Sequence, residues 1–255
     1  MISADLRGKT ALVTGGASGV GLATVELLAK CGAKVALNHR SSNKTAAGEI
    51  ARLTGLGYDI IAAPGDVGAP AEAAAMVERA VGDLGRLDIL VNNAGTPGAA
   101  AKGKRIGYGD LDVLTEDWWT DVLSTNLIGP FRCTRAAAPA LKATNGSVIN
   151  VASIAGLGPV GSNLIYGSSK AALIQLTSYL SRALAPQIRV NAVAPGYIET
   201  PWTEDWPDEV KQGAISRTPL KRGCKPQDIA EAILFLGAGA AMITGQTLVI
   251  DGGLL

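Results

Sequence analysis

The sequence predicts an α/β fold: a doubly wound parallel sheet of about seven strands with helices on both faces, in a single domain over residues 1–255. Three observations lead there. Short apolar runs alternate with helical stretches in units of roughly 30 residues, the length of a strand–helix crossover. Hydrophobic residues make up 47% of the chain and aromatics only 4%, so the apolar content is carried by small aliphatic side chains. That composition suits strands buried on both faces. Finally, no linker or composition break divides the chain, and no repeat is seen beyond the alternation itself.

The first strand is Lys9-Thr10-Ala11-Leu12-Val13-Thr14, a short apolar run that ends in glycine. It leads into Thr14-Gly15-Gly16-Ala17-Ser18-Gly19-Val20-Gly21 and then a helical stretch to about Lys30. Strand, glycine-rich turn and helix together can cradle a phosphate. The glycines let the backbone come close, and the helix N-terminus offers unpaired N–H groups and a positive dipole end. An ordinary glycine turn is the alternative. The second strand, Lys34 to Asn38, closes in His39-Arg40-Ser41-Ser42. Dinucleotide folds that prefer NAD place a carboxylate here against the ribose 2′-hydroxyl. This chain has none. Arg40 and the two serines, Ser41 and Ser42, with His39 flanking them, suit a 2′-phosphate instead, because a guanidinium offers paired donors. NADP is therefore favoured over NAD; a solvated surface arginine is the simplest account of Arg40 alone.

A helix is expected from Lys44 to Thr54 and a third strand from Tyr58 to Ala63, which exits into Gly65-Asp66-Val67. Asp66 is placed either to meet an adenine amino group or to cap the helix that starts near Pro70. Leu87 to Val91 is the fourth strand and ends in Asn92-Asn93-Ala94-Gly95, small and amide residues that suit a ligand crevice. Thr96 to Asp112, with Lys102, Lys104, Arg105 and Tyr108, is too long for a tight connection and reads as an exposed loop or lid. A helix over Glu116 to Leu141 carries Asn126 at its middle, where an amide competes with the backbone; a cap or a kink would explain it. Ser147 to Val151 is the fifth strand and delivers Ser153 to its carboxyl end. A helix follows from about Asn163 to Leu184, then a sixth strand, Ile188 to Val193, running into Ala194-Pro195-Gly196. Residues 197–224 form a polar stretch with Trp202 and Trp206, read as a short helix plus a substrate loop. A helix from Asp228 to Leu236 and a strand from Thr247 to Ile250 close the chain.

On the helix from Asn163, Tyr166 and Lys170 lie one turn apart on one face. A free phenol has a pKa of about 10, and bringing it to about 7 needs roughly 4 kcal/mol. A lysine in a dry pocket beside a cationic cofactor ring can contribute that; a packed tyrosine beside a solvated lysine is the bland alternative.

Composition excludes several classes. A net charge of +1 without a basic block gives no case for nucleic acid. His39 is the only histidine, and the three cysteines, Cys31, Cys133 and Cys224, lack metal-binding spacing, so no metal site is expected. Free thiols fit a reducing, cytoplasmic setting. The first residues lack an apolar signal core, and no run reaches about 18 apolar residues, so no membrane span is expected.

The pieces Thr14-Gly15-x-x-x-Gly19-x-Gly21, Asn92-Asn93-Ala94-Gly95, Asn126, Ser153, Tyr166-x-x-x-Lys170 and Pro195-Gly196, in this order, resemble the short-chain dehydrogenase/reductase family, in its compact single-domain branch with a Rossmann-type sheet. The closing Asp251-Gly252-Gly253 is similar to that branch as well. The resemblance implies that Tyr166 is the catalytic acid/base, that Lys170 lowers its pKa and holds the nicotinamide ribose, that Ser153 binds the substrate oxygen, and that Asn126 bends its helix and fixes a water. It implies that Thr14, Gly15, Ser18, Gly19, Val20 and Gly21 surround the pyrophosphate and adenosine ribose, and that Asp66 and Val67 contact adenine. Asn93, with Ala94 and Gly95 beside it, would lie near the ribose, and Ile198 and Thr200, after Pro195 and Gly196, would hold the carboxamide. The implied activity is NADP-preferring oxidoreduction of a ketone/secondary alcohol pair by a homotetramer or dimer, through a small-molecule carbonyl or alcohol substrate. A 3-oxoacyl thioester, a sugar or polyol, and a cyclic ketone are open as substrates; a nucleotide-binding sensor without chemistry is the alternative from another class. Compared with the family pattern, the loop from Thr96 to Leu114 is several residues longer, and it is expected to help shape the substrate pocket together with Leu157, Val160, Ile165, Tyr197 and Trp202.

Overall fold

The computed structural model describes residues 3–40, 44–98, 110–160 and 162–255, with Lys44 described by its backbone only. Ser41, Ser42 and residues 99–109, with Lys102, Lys104, Arg105 and Tyr108, lie outside the described residues.

Among the described residues, seven parallel strands form one sheet: β1 (Thr10–Val13), β2 (Lys34–His39), β3 (Ile60–Pro64), β4 (Ile89–Asn92), β5 (Ser147–Val151), β6 (Arg189–Pro195) and β7 (Thr247–Ile250). Their spatial order is β3-β2-β1-β4-β5-β6-β7. The helices are α1 (Gly19–Lys30), α2 (Lys44–Gly55), α3 (Pro70–Leu84), α4 (Glu116–Leu123), α5 (Gly129–Thr144), α6 (Leu164–Ala183), α7 (Asp208–Arg217) and α8 (Pro226–Ala238).

Successive strand residues point to opposite faces, and the core divides accordingly. Val13, Val91 and Ile149 pack with Val25 and Leu28 of α1, Leu53 of α2 and Ile229 and Ile233 of α8. Their neighbours Leu12, Leu90 and Val148 point the other way, onto Met76 and Val77 of α3 and Ala137 and Leu141 of α5. Burial of each such large aliphatic side chain contributes about 1.5–3 kcal/mol, so both faces must be covered. Helix α1 packs along α8, and α3 along α5.

One expected element is corrected. The continuous helix over 116–141 is two helices, α4 and α5, joined by the π-helical turn Ser124–Ile128. The cause is Asn126, which turns fully inward. Its Oδ1 accepts from the Thr96 backbone N–H (2.8 Å) and its Nδ2 donates to the Thr96 carbonyl (2.9 Å). Such insertions cluster at functional sites.

Candidate active site

The strand order reverses between β1 and β4, and the carboxyl ends of β1, β4, β5 and β6 open onto one crevice. Open α/β sheets bind ligands at such switch points.

On the β1 side, the turn from Gly15 is held by a residue that sequence reasoning passed over. Asn38, buried at the end of β2, accepts from the Gly15 N–H through Oδ1 (3.2 Å) and from the Gly16 N–H through its carbonyl (2.8 Å). Its Nδ2 donates to the Ala63 and Gly65 carbonyls at the end of β3. Thr14 Oγ1 accepts from the Asn93 and Ala94 N–H groups (2.9 and 3.0 Å), and Asn93 Nδ2 donates to the Thr14 and Gly15 carbonyls (2.9 and 3.1 Å). Asn93 is thus spent on joining two loops. A Cβ at Gly21 would run into the Gly15 carbonyl oxygen and come within 2.5 Å of Asn93 Nδ2, so only glycine lets α1 begin this close to the strand ends.

The N-terminus of α1 is left available. Ser18 stands at the N-cap without a side-chain capping bond, and the first turn, with Gly19 and the buried Val20, has no acidic residue. This fits a diphosphate, which the N–H groups and dipole of the first turn would hold. Across the crevice, a Cβ at Gly19 would lie 3.4 Å from Thr200 Cγ2, so the chain following β6 faces the glycine turn. Pro195 ends β6, Gly196 N–H donates to the Ile250 carbonyl (2.9 Å), and Ile198 bridges to Cys224. Arg40 leaves β2 exposed, and His39 Nδ1 lies 2.8 Å from the Arg40 carbonyl. Ser41 is outside the described residues.

Asp66 does not cap α3. The N-cap is Ala69, while Asp66 Oδ1 accepts from Gly68 N–H (2.7 Å) in a local turn. Val67 beside it is buried, and Arg132 donates to the Gly68 carbonyl (2.7 Å), fixing the loop from α5.

The β5 and α6 side carries the polar cluster. Asn163 caps α6, accepting from Tyr166 N–H (2.8 Å). Ser153, beyond β5, opens a short turn, Ile154–Gly156, that lies directly on α6. A Cβ at Gly156 would meet Ala171 N at 2.6 Å, and one at Gly167 would meet the Ala155 carbonyl oxygen at 2.9 Å. This close approach brings Ser153 alongside the Tyr166 phenol, where its hydroxyl favours the ionised form, while Ser153 Oγ also accepts from Ala155 N–H (3.2 Å). Lys170 is buried and donates to the Val151 carbonyl (2.8 Å), with its Nζ 5.5 Å from the Tyr166 ring centroid. Gly95 lies over both Lys170 and Asn126: a Cβ there would sit 3.6 Å from Lys170 Nζ and 3.4 Å from Asn126 Oδ1. Asn126 Nδ2 also donates to Ser169 Oγ (3.1 Å), which donates to the Tyr166 carbonyl (2.7 Å). A buried polar chain unseen in the sequence steadies this arrangement. Asn92 Nδ2 donates to Thr134 Oγ1 of α5 (3.2 Å) and Asn150 Oδ1 (2.9 Å), and Asn150 Nδ2 donates to Thr177 Oγ1 of α6 (2.9 Å).

The expected acidification of the phenol by Lys170 is not a property of the protein alone. Burial pushes the Tyr166 phenol up to about 12, and its bond with Ser153 only partly offsets this. Burial also brings the Lys170 ammonium down to about 8. Both shifts follow from desolvation, which disfavours each charged form. Two pocket expectations also sort themselves out. Ile165 is fully buried with Trp118 and Val122 and belongs to the core, whereas Trp202 meets the Tyr166 ring edge-on (centroids 6.0 Å apart, planes at 67°). Tyr197 stacks on Trp206 instead. Among the described residues, no group of His, Cys, Asp or Glu is arranged to hold a metal, and no helix is long and apolar enough to cross a membrane.

Over residues 15–255 the chain matches a family model described as enoyl-(acyl carrier protein) reductase. It is 38% identical over 262 aligned residues to the 3-oxoacyl-[acyl-carrier-protein] reductase FabG of Thermotoga maritima, covering 98% of this chain and 99% of that one. It is similar to a solved short chain dehydrogenase from Burkholderia cenocepacia J2315 in complex with NADP (TM-score 0.88, 34% identity, 98% and 99% of the two chains). A short-chain dehydrogenase/reductase of Serratia marcescens is similar at TM-score 0.88 and 32% identity, again over 98% and 99% of the two chains. With its glycine turn, its Ser153–Tyr166–Lys170 cluster and these full-length relatives, the chain belongs to the short-chain dehydrogenase/reductase family of NAD(P)-dependent oxidoreductases.

Proposed function

We propose that this chain is an NADP(H)-preferring oxidoreductase that interconverts a ketone and a secondary alcohol, with Tyr166 as the acid/base. The convergence of Tyr166, Ser153, Lys170 and Asn126 on the strand ends that face an uncapped α1 carries this reading. The nicotinamide cofactor supplies or accepts the hydride. Thr14, Gly15, Ser18, Gly19, Val20 and Gly21 hold its diphosphate side, with Asp66, Val67, Asn93, Ala94 and Gly95 along the adenosine side and Pro195, Gly196, Ile198 and Thr200 at the carboxamide. Arg40, with His39 and Ser41, receives the 2′-phosphate; the NADP bound in the Burkholderia cenocepacia relative supports that preference.

In reduction, the Tyr166 phenol donates its proton to the carbonyl oxygen as negative charge develops there, and the Ser153 hydroxyl donates a hydrogen bond to the same oxygen. Lys170, cationic in a dry setting, stabilises the phenolate left behind. Asn126 holds the Thr96 backbone over Lys170 and, through Ser169, the first turn of α6. The buried phenol, with its pKa at about 12, is a ready proton donor. Ionising it at pH 7 costs roughly 7 kcal/mol, which oxidation must recover from nearby charge.

Residues 197–224 act as the substrate loop of this single domain. A homotetramer is the proposed assembly, supported by the apolar side chains that Phe235 on α8 and Leu248 and Val249 on β7 expose. The unpaired Cys31, Cys133 and Cys224 suit a reducing cytoplasm.

The test is turnover of a ketone panel with NADPH and NADH, in wild type and Arg40→Asp. Wild type should turn over with a preference for NADPH. Arg40→Asp should reverse the affinity ratio by roughly ten- to a hundredfold, the value of a charge-assisted bond and its loss. An unchanged ratio would remove the cofactor assignment.

A further inference from the structure

We propose that Trp202 selects the substrate, favouring neutral ketones with a flat apolar flank (aryl or fused cyclic) over flexible or anionic ones. This rests on the carbonyl reduction at Tyr166 proposed above and names the substrate class for it. Trp202 is the residue of the 197–209 lip that reaches the reacting group: its ring stands edge-on to Tyr166, 6.0 Å between centroids. Yet Trp202 remains 44% exposed, so its contact with Tyr166 leaves side-chain surface for a ligand. A carbonyl seated on the Tyr166 and Ser153 hydroxyls places one substituent beside that indole. A planar apolar group there gains buried area and an aromatic contact; a floppy chain gains less and is ordered at greater entropic cost.

The lip is held in place without Trp202. Thr203 Oγ1 donates to the Ile198 carbonyl (2.8 Å), Tyr197 stacks on Trp206, and Lys211 Nζ donates to the Glu204 carbonyl (2.6 Å). Leu157, just after the turn that presents Ser153, is a further exposed apolar side chain on the β5 side of the site. The charge of the lip favours neutral substrates. Glu199, Glu204, Asp205, Asp208 and Glu209 line this stretch, and Lys211, the cation closest to them in sequence, is already engaged with Glu204 and Asp208. An anionic carrier such as coenzyme A meets like charge there.

The test measures kcat/KM with NADPH for 1-tetralone, butanone and 3-oxobutanoyl-coenzyme A in wild type, Trp202→Ala and Trp202→Phe. Wild type should prefer 1-tetralone to both others. Trp202→Ala should lower the tetralone-to-butanone ratio about tenfold, and Trp202→Phe should restore most of it. A ratio unchanged in Trp202→Ala, an equal loss on both ketones, or a wild-type preference for the coenzyme A thioester would overturn the proposal while leaving the proposed reaction standing. Absence of turnover with every ketone and either cofactor would overturn both.

Discussion

The two walls of the crevice are built differently. The strand-end wall, from Thr14 through Asn38 to Asn93 and Gly95, spends its polar side chains on backbone groups of neighbouring loops. It is closed by contacts too tight for any Cβ at Gly21. The opposite wall, from Tyr197 to Glu209, is shaped by aromatic packing and a single buried threonine, Thr203, with its carboxylates largely toward solvent. The first wall has one solution, because it must present bare backbone to a cofactor. The second can change side chains without disturbing the sheet, which is why the proposed substrate choice is assigned to it.

That contrast can be broken, and the largest effect belongs to the strand-end wall. Gly21→Val should cost about 3 kcal/mol or more of stability and abolish NADPH binding, since neither the Gly15 carbonyl nor Asn93 can retreat. Denaturant midpoints and cofactor titration would check both; normal binding by this variant would mean the wall is not rigid. Lys170→Met comes next. The Lys170 pKa lies at about 8, below its ordinary 10.5, so the fold disfavours the ammonium and the native state binds fewer protons between those values. Stability at this site is therefore reduced below pH 8 and recovered as pH rises from 8 towards 10.5. At pH 7, Lys170→Met should be more stable than wild type by roughly 2 kcal/mol, after about 1 kcal/mol is deducted for the lost bond to Val151. The gap should close by pH 10, and turnover should be lost. Urea midpoints at the two pH values would decide it; a variant less stable at pH 7 would contradict the desolvation account. The smallest effect belongs to the lip, the roughly tenfold change in substrate ratio at Trp202.

The sequence made the sheet legible because each strand is a short aliphatic run, and the Tyr166–Lys170 spacing because a helix face is periodic. Other features depended on partners far along the chain. Asn38 clamps the glycine turn across 23 residues, and Asn150 reaches Thr177 across 27, so neither stands out in a linear reading. Asn126 stands out as a poor residue for a helix interior, but the π-helical turn depends on the Thr96 backbone opposite it. The direction of the Tyr166 shift could not be read from spacing, because burial outweighs a cation 5.5 Å from the ring centroid that is already bonded to Val151. The cap alternative for Asp66 and the pocket position expected of Ile165 fell away for a similar reason. A local turn and an inward helix face look the same in sequence as a cap and a pocket wall.

The most direct test of the central claim is Tyr166→Phe, assayed for ketone reduction alongside NADPH affinity. Removing one hydroxyl from a site otherwise intact should lower kcat by roughly a thousandfold, the scale of general acid catalysis, and leave cofactor affinity within about twofold. Turnover within tenfold of wild type would show that another group delivers the proton.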